Sequence, residues 1–233
     1  MTADVVKTPT PATVEHTFGP LNSVEGHNAP EQIFVCGDVR LLRQGMRVSV
    51  VGTRQPTEMG IKRGFRVTRA LVNANITVVC GLAYRIDVVA HQAAIECGGR
   101  TIAVLGTPLD RCYPAKHGPL QDLIMKEHLA ISQFAPGTKT QRFHFPIRNH
   151  LMALISHGTV IIEAGETSGT QSQAWEALRL GRPLILMKSL TEDPRLKWVQ
   201  KVMEYGAEVV ADEDELLECI APVEVDYSAA AAF

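Results

Sequence analysis

Residues 47–87 read RVSVVGTRQPTEMGIKRGFRVTRALVNANITVVCGLAYRID, and this stretch decides the fold. Short β-branched runs at 48–51 and 76–79 flank a segment of helical spacing, so the hydrophobic period switches from strand to helix and back. That is a βαβ unit. Its first turn, Gly52-Thr53-Arg54, brings backbone close to a ligand and points amide donors and a guanidinium toward it, ahead of a helix announced by Pro56 and Thr57. A second glycine turn, Gly81-Leu82-Ala83-Tyr84-Arg85, closes the unit. Anionic ligands suit both turns.

Outward from this unit the alternation continues. A short strand near 33–36, turning at Gly37-Asp38, leads into it. Within the unit, the helix over 58–73 is expected to bury Ile61, Phe65 and Leu71 or Val72, leaving Lys62, Arg63, Arg66 and Arg69 nearer solvent. A small-residue helix over 86–96 stops at Gly98-Gly99, and a strand at 101–105 ends in a third glycine loop, residues 106–114. Residues 146–157 read as a helix burying Ile147, Leu151, Leu154 and Ile155. Strands at 160–162, 183–187 and 208–210 alternate with helices at 171–180, 195–205 and 212–219. The loop at 163–170 places Ser168, Gly169 and Thr170 at a helix N-terminus, where unpaired amides and the helix dipole together favour an anion.

The economical architecture is a doubly wound, mostly parallel α/β sheet of extended Rossmann-like type, forming a single domain. Right-handed crossovers bring every strand-to-helix loop to one edge, so the turns at 52–54, 81–85, 106–114 and 164–170 should converge on one crevice. Residues 1–29, rich in Pro, Thr and Ala without strand or helix period, are expected as an extended or disordered leader. Residues 30–220 form the domain, and 221–233 a flexible tail.

Composition narrows the function class. The 233 residues are 45% hydrophobic and 21% charged, without a run long and apolar enough for a membrane span and without a secretory signal layout, so the chain is expected in the cytoplasm. Its five cysteines are scattered and lack zinc spacing, which points to reduced core thiols rather than a metal or redox centre. Net charge is -2, yet residues 211–233 hold seven acids and no Lys or Arg, leaving 23 bases against 18 acids in residues 1–210. Between Arg111 and His150, six bases (Arg111, Lys116, Lys126, Lys139, Arg142, Arg148) face two acids, with Tyr113, Phe134, Phe143 and Phe145 interleaved. Cations that track phosphates and rings that stack bases are what a single-strand groove needs.

Several enzyme readings lack their residues. The turn GTRQPTEMG is not the dehydrogenase Gly-x-Gly-x-x-Gly, there is no Walker lysine loop, and Ser168 sits in no nucleophile elbow. The motifs IFVCGDVRLL, VSVVGTR, VVCGLAYRID, VVAHQAAIECGGRTIAVLG, PLDRCYP, FPIRN and VIIEAGETSGT, in this order over residues 30–217, make the chain resemble the Rossmann-like domain of the DNA-processing protein A (DprA/Smf) family. The resemblance implies single-stranded DNA binding in a basic pocket, a homodimer, and loading of a RecA-type recombinase during natural transformation and DNA recombination, with no cofactor and no catalytic residue.

Carried over by motif, Arg54 matches the arginine of the family's first turn, Arg148 and Asn149 its Phe-Pro-x-Arg-Asn element, and Ser168 and Gly169 its Ser-Gly loop. These residues, with Thr170, are the expected phosphate holders. Lys139 and Arg142 extend the track, Phe145 and Tyr113 line the base side, and Gly52, Thr53, Gly81, Tyr84, Arg85 and Lys116 complete the surface. Asp87 and His91 read as helix-start and packing residues. Tyr84-Arg85 stands where the family usually has Arg-Gly, His117 where an asparagine is common, and His150 where an arginine is usual. The leader is too short for the family's helical N-terminal module, and the residues after 217 are too few for its winged helix. A competing reading is a nucleotide-binding protein or a nucleotide phosphoribohydrolase of LOG type, in which Gln173 takes the place of the catalytic glutamate.

Overall fold

The computed structural model describes residues 5–14, 17, 21, 23–166 and 169–220. In chain order its elements begin with β1 (Val5–Thr13), α1 (Ser23–Asn28), β2 (Gln32–Asp38), β3 (Arg47–Gly52), α2 (Glu58–Asn73), β4 (Thr77–Cys80) and α3 (Ile86–Glu96). They continue through β5 (Thr101–Leu105), α4 (Gly118–Glu127), β6 (Leu129–Ser132), α5 (His144–Ile155) and β7 (Gly158–Glu163). The last are α6 (Gly169–Arg179), β8 (Leu184–Met187), α7 (Lys197–Glu204), β9 (Glu208–Val210) and α8 (Glu213–Ile220).

One nine-stranded sheet runs in the order β1-β2-β6-β5-β4-β3-β7-β8-β9. β1 and β2 pair antiparallel, as do β2 and β6, and the remaining pairs are parallel. The central strands are nearly continuous runs of buried β-branched residues because helices cover both faces. Val51, Val79 and Ile161 point into a core shared with α5, α6 and α7, while Val50, Val78 and Ile162 point into one shared with α2, α3 and α8. A third cluster packs Ile124 of α4 against Ala103, Leu105 and Ala130. The doubly wound expectation therefore holds. From β3 the chain winds outward through β4 and β5 to β6, then returns to β7 beside β3 and winds the other way. The carboxyl ends of β3 and β7 thus form the topological switch point, where a crevice opens.

Four local expectations change. Residues 5–13 are not a free leader but an edge strand, with Thr10 to Thr13 in register with Val35 to Gln32. Pro9 and Pro11 hide the strand from periodicity, and an edge tolerates them because outward-facing N–H positions need no partner. Residues 118–132, to which the spacing assigns no element, form α4 and β6; the four-residue run LAIS is too short for its period to show. On α2 Leu71 is buried as expected, but Ile61 and Phe65 are only half-buried and the rest of the buried face is Gly60, Gly64, Val67 and Thr68, because two glycines let the helix press closely onto its neighbours. On α5 Ile147 is 39% exposed, and Arg148 and Asn149 point inward in its place. The tail at 221–233 lies outside the described residues.

Candidate nucleic-acid interface

The turn after β3 is tied to the end of β7. The Thr53 amide donates to the Glu163 carbonyl at 2.7 Å, and Thr57, which caps α2 by accepting from the Gly60 amide at 3.0 Å, donates its own amide and hydroxyl to the Glu163 carboxylate. A Cβ at Gly60 would lie 1.7 Å from that carboxylate. Glu163 therefore works as a strut that sets the spacing of two ligand-facing loops. Arg54 extends from this turn with its side chain exposed.

The loop after β4 is shaped by Asp87, whose Oδ2 accepts from the amides of Gly81 and Ala83, both at 3.1 Å. Leu82 and Arg85 adopt positive φ, 55° and 68°, conformations that this paired anchoring holds. Beneath the loop runs Arg148 of α5, 5% exposed, whose Nη1 donates to the Val104 carbonyl at 3.2 Å. A Cβ on residue 81 would fall 1.1 Å from Nη1, so only glycine leaves room for the guanidinium. Burial pushes the Asp87 carboxyl above its ordinary range, against the pull of Arg148. The same burial lowers the Arg148 guanidinium, with the Asp87 charge opposing. Cation and anion sit together in the floor, and the anion holds the loop.

At the switch point these loops enclose a cleft of about 410 Å³. It is lined by Gly52, Thr53, Arg54 and Gln55 from the first turn, by Ala83 and Asp87, by Phe145, Arg148 and Asn149 from α5, and by Gly169, Thr170 and Gln173 from α6. The Asn149 Nδ2 donates to the Gly169 carbonyl at 3.2 Å, fixing the start of α6 against α5. The N-terminus of α6 and the guanidinium of Arg54 thus face one cavity, where the helix dipole and the exposed cation together favour an anion. Glu166 also lines the cleft, and its exposed carboxylate sets one negative charge there.

A smaller recess shares Arg54, Ala83, Phe145 and Arg148 with the cleft and adds Gly81, Tyr84, Leu105, Gly106, Tyr113 and Pro114. Tyr113, 56% exposed, packs on Phe145 with ring centroids 5.6 Å apart. The Lys116 ammonium lies 4.4 Å from the Tyr84 ring centroid, and His117 meets that ring edge-on at 5.3 Å. The exposed Tyr113 ring and the half-buried rings of Tyr84 and Phe145, beside cations, form a shelf suited to flat, electron-rich groups.

The four loops expected to converge do so, and Gly52, Thr53, Arg54, Gly81, Tyr84, Tyr113, Phe145, Arg148, Asn149, Gly169 and Thr170 line one or other of these two neighbouring hollows. Lys116 joins them through Tyr84. Arg85, Lys139 and Arg142 are exposed but line neither hollow, and Phe134 is stacked on His144 at 3.8 Å rather than on the shelf. Ser168 lies outside the described residues. Asp87 and Gln173 enter the site where packing or a substitution was expected; Gln173 stands three residues after Thr170, a spacing that puts both on one helix face. Asp87 also packs as expected, and His91, fully buried with its Nδ1 2.7 Å from the Thr101 hydroxyl, is a core residue. Among the described residues no His, Cys, Asp and Glu side chains cluster to hold a metal, and no helix is long and apolar enough to cross a membrane.

Residues 12–221 match the model of the family described as DNA recombination-mediator protein A. The chain is 31% identical over 202 residues to DNA processing protein DprA of Bacillus subtilis (strain 168), a match covering 87% of this chain and 68% of that one. DNA processing protein A from Streptococcus pneumoniae superposes with a TM-score of 0.78 at 31% identity, over 91% of this chain and 74% of that one. DNA processing protein A from Helicobacter pylori, whose single-stranded DNA binding mode is unique, shares the fold with a TM-score of 0.74 at 24% identity, over 90% and 94% of the two chains. The ordered motifs, the doubly wound sheet and these similarities agree, and the chain belongs to the DNA recombination-mediator protein A family, the DprA/Smf proteins.

Proposed function

We propose that the chain binds single-stranded DNA at the switch-point cleft and acts without catalysis, delivering the strand to a RecA-type recombinase as a cytoplasmic homodimer during DNA uptake. The observation that carries this reading is that Arg54 and Phe145 line both the cleft at the α6 N-terminus and the neighbouring recess that holds Tyr113. Arg54 and the α6 amides hold phosphate. Arg148, deep in the floor, supplies positive potential without extending to the strand. Tyr113, Phe145 and Tyr84 give sequence-tolerant faces on which bases stack, each stacked base contributing about 1 to 3 kcal/mol. Lys116, and more distantly Arg85, Lys139 and Arg142, are exposed cations that extend the phosphate track beyond the cleft.

Four to six phosphate contacts give a log K against log salt slope of roughly -3 to -4 for a single strand. Fluorescence anisotropy with labelled oligo(dT) across a salt series measures it, and a flat response would remove the phosphate cradle from the account. The nucleotide-hydrolase reading finds less support. Gln173 lines the cleft where that chemistry wants a carboxylate, and an amide cannot take up a proton near neutral pH. Incubation with AMP should release no adenine.

A further inference from the structure

Gln173 is 1% exposed and lines the cleft, yet neither its Oε1 nor its Nε2 has a hydrogen-bond partner. Among the described residues it is the one side chain with two such buried atoms. A buried polar group without a partner costs about 1 to 3 kcal/mol, so a native protein keeps a doubly unpaired amide only where something outside the fold completes it. Its neighbour Asn149 shows the contrast: that amide is spent on the Gly169 carbonyl. Thr159, Arg148 and Trp198 each leave one buried atom unpaired, but of these three only Arg148 shares the cleft, and its Nη1 is anchored on Val104.

We propose that Gln173 is a specificity residue that hydrogen-bonds the polar edge of one nucleobase held in the cleft. The inference rests on the cleft being the nucleic-acid site. Gln173 lies one helical turn beyond Gly169, about 6 Å along the axis, so a phosphate on the first-turn amides of α6 sets its own nucleoside beside the amide. A carboxamide offers an acceptor and a donor side by side. Each of the four bases carries a donor next to an acceptor on its pairing edge, so the amide accepts any of them by turning, and rejects a residue that lacks such an edge. The site then distinguishes a base from no base rather than one sequence from another.

The test compares oligo(dT) with the same oligomer built from N3-methylthymine, which keeps ring and phosphates but loses the N3–H donor. Binding of the full chain is measured by anisotropy for wild type, Gln173→Met and Gln173→Leu. Wild type is expected to bind oligo(dT) about tenfold more tightly than the methylated strand. Both variants are expected to bind the two strands alike, at the weaker level, with Tm unchanged or raised because the unpaired amide is gone. Equal binding of both strands by wild type, or a preference retained in the variants, overturns the role of Gln173 while leaving the cleft as the DNA site. A Tm that falls in both variants shows that the amide is bonded within the protein and overturns it too. Failure of wild type to bind either strand removes the site reading itself.

Discussion

Arg54 and Arg148 line the same cleft with the same charge, but their surroundings divide the work. Arg54 is exposed on a turn, so Arg54→Ala should weaken oligo(dT) binding roughly tenfold to a hundredfold, the range of a lost charge-assisted bond, with Tm unchanged. Arg148 is wedged under Gly81 and faces the buried charge of Asp87. Arg148→Ala leaves a cavity and an uncompensated carboxylate, and should cost roughly 3 kcal/mol or more in urea denaturation, with loss of binding as a consequence. Equal stability of the two variants would contradict the buried role of Arg148. Gly81→Ala offers a second check: the added methyl must displace the guanidinium, so stability should fall although Gly81 has no positive φ that would itself demand glycine. A family motif can place both arginines in the site. It does not say which one is floor and which is arm, because that depends on the depth at which α5 crosses the sheet.

The helix α2 shows how an element is set by contacts at its start. Thr57 accepts from the Gly60 amide and donates to Glu163, so it both caps the helix and ties it to β7. Thr57→Ala should lower stability by about 1 kcal/mol, the usual cost of a lost cap, measured by chemical denaturation. It should also lower DNA affinity, since the turn carrying Arg54 loses the hydroxyl bond to its Glu163 strut. An affinity that does not move would mean the turn holds its shape without the Thr57 hydroxyl, on the backbone bonds to Glu163 alone. The presence of α2 was legible in its spacing, but its buried face was not. Gly60 and Gly64 look like weak positions by periodicity, yet the absence of side chains is what allows close approach to Glu163 and Ile86. The strand β6 was missed because four apolar residues carry no period that separates strand from loop, and β1 because its prolines and threonines show none of the expected alternation.

Among the described residues burial lowers three histidines, His128 and, more strongly, His91 and His157, which lie at well-separated places. His91, beside Thr101 in the core, is depressed to about 3, and His157, whose Nδ1 accepts from the Arg47 amide at 3.0 Å, to about 4 by burial and then by Arg47 and Arg182. Both folded values lie below the ordinary 6.5, so the unfolded chain binds more protons in the interval between. Stability from this source is fully present above pH 6.5 and is lost as pH falls toward 4 and then 3. Urea midpoints should drop between pH 7 and pH 5, and His157→Asn should flatten part of that slope; a profile unchanged in the variant would remove His157 from the account. The sequence by itself determined the alternation of strand and helix, the glycine turns after the strands and the cations set within or beside them, because each is written in residues a few positions apart. Only the tertiary structure decided that β1 pairs at the sheet edge, that Arg148 lies buried beneath Gly81, that Asp87 holds the neighbouring loop and that Gln173 reaches the cleft with its amide unpaired. Those outcomes depend on which surfaces meet across the sheet, and contacts between residues tens of positions apart leave no local period to read.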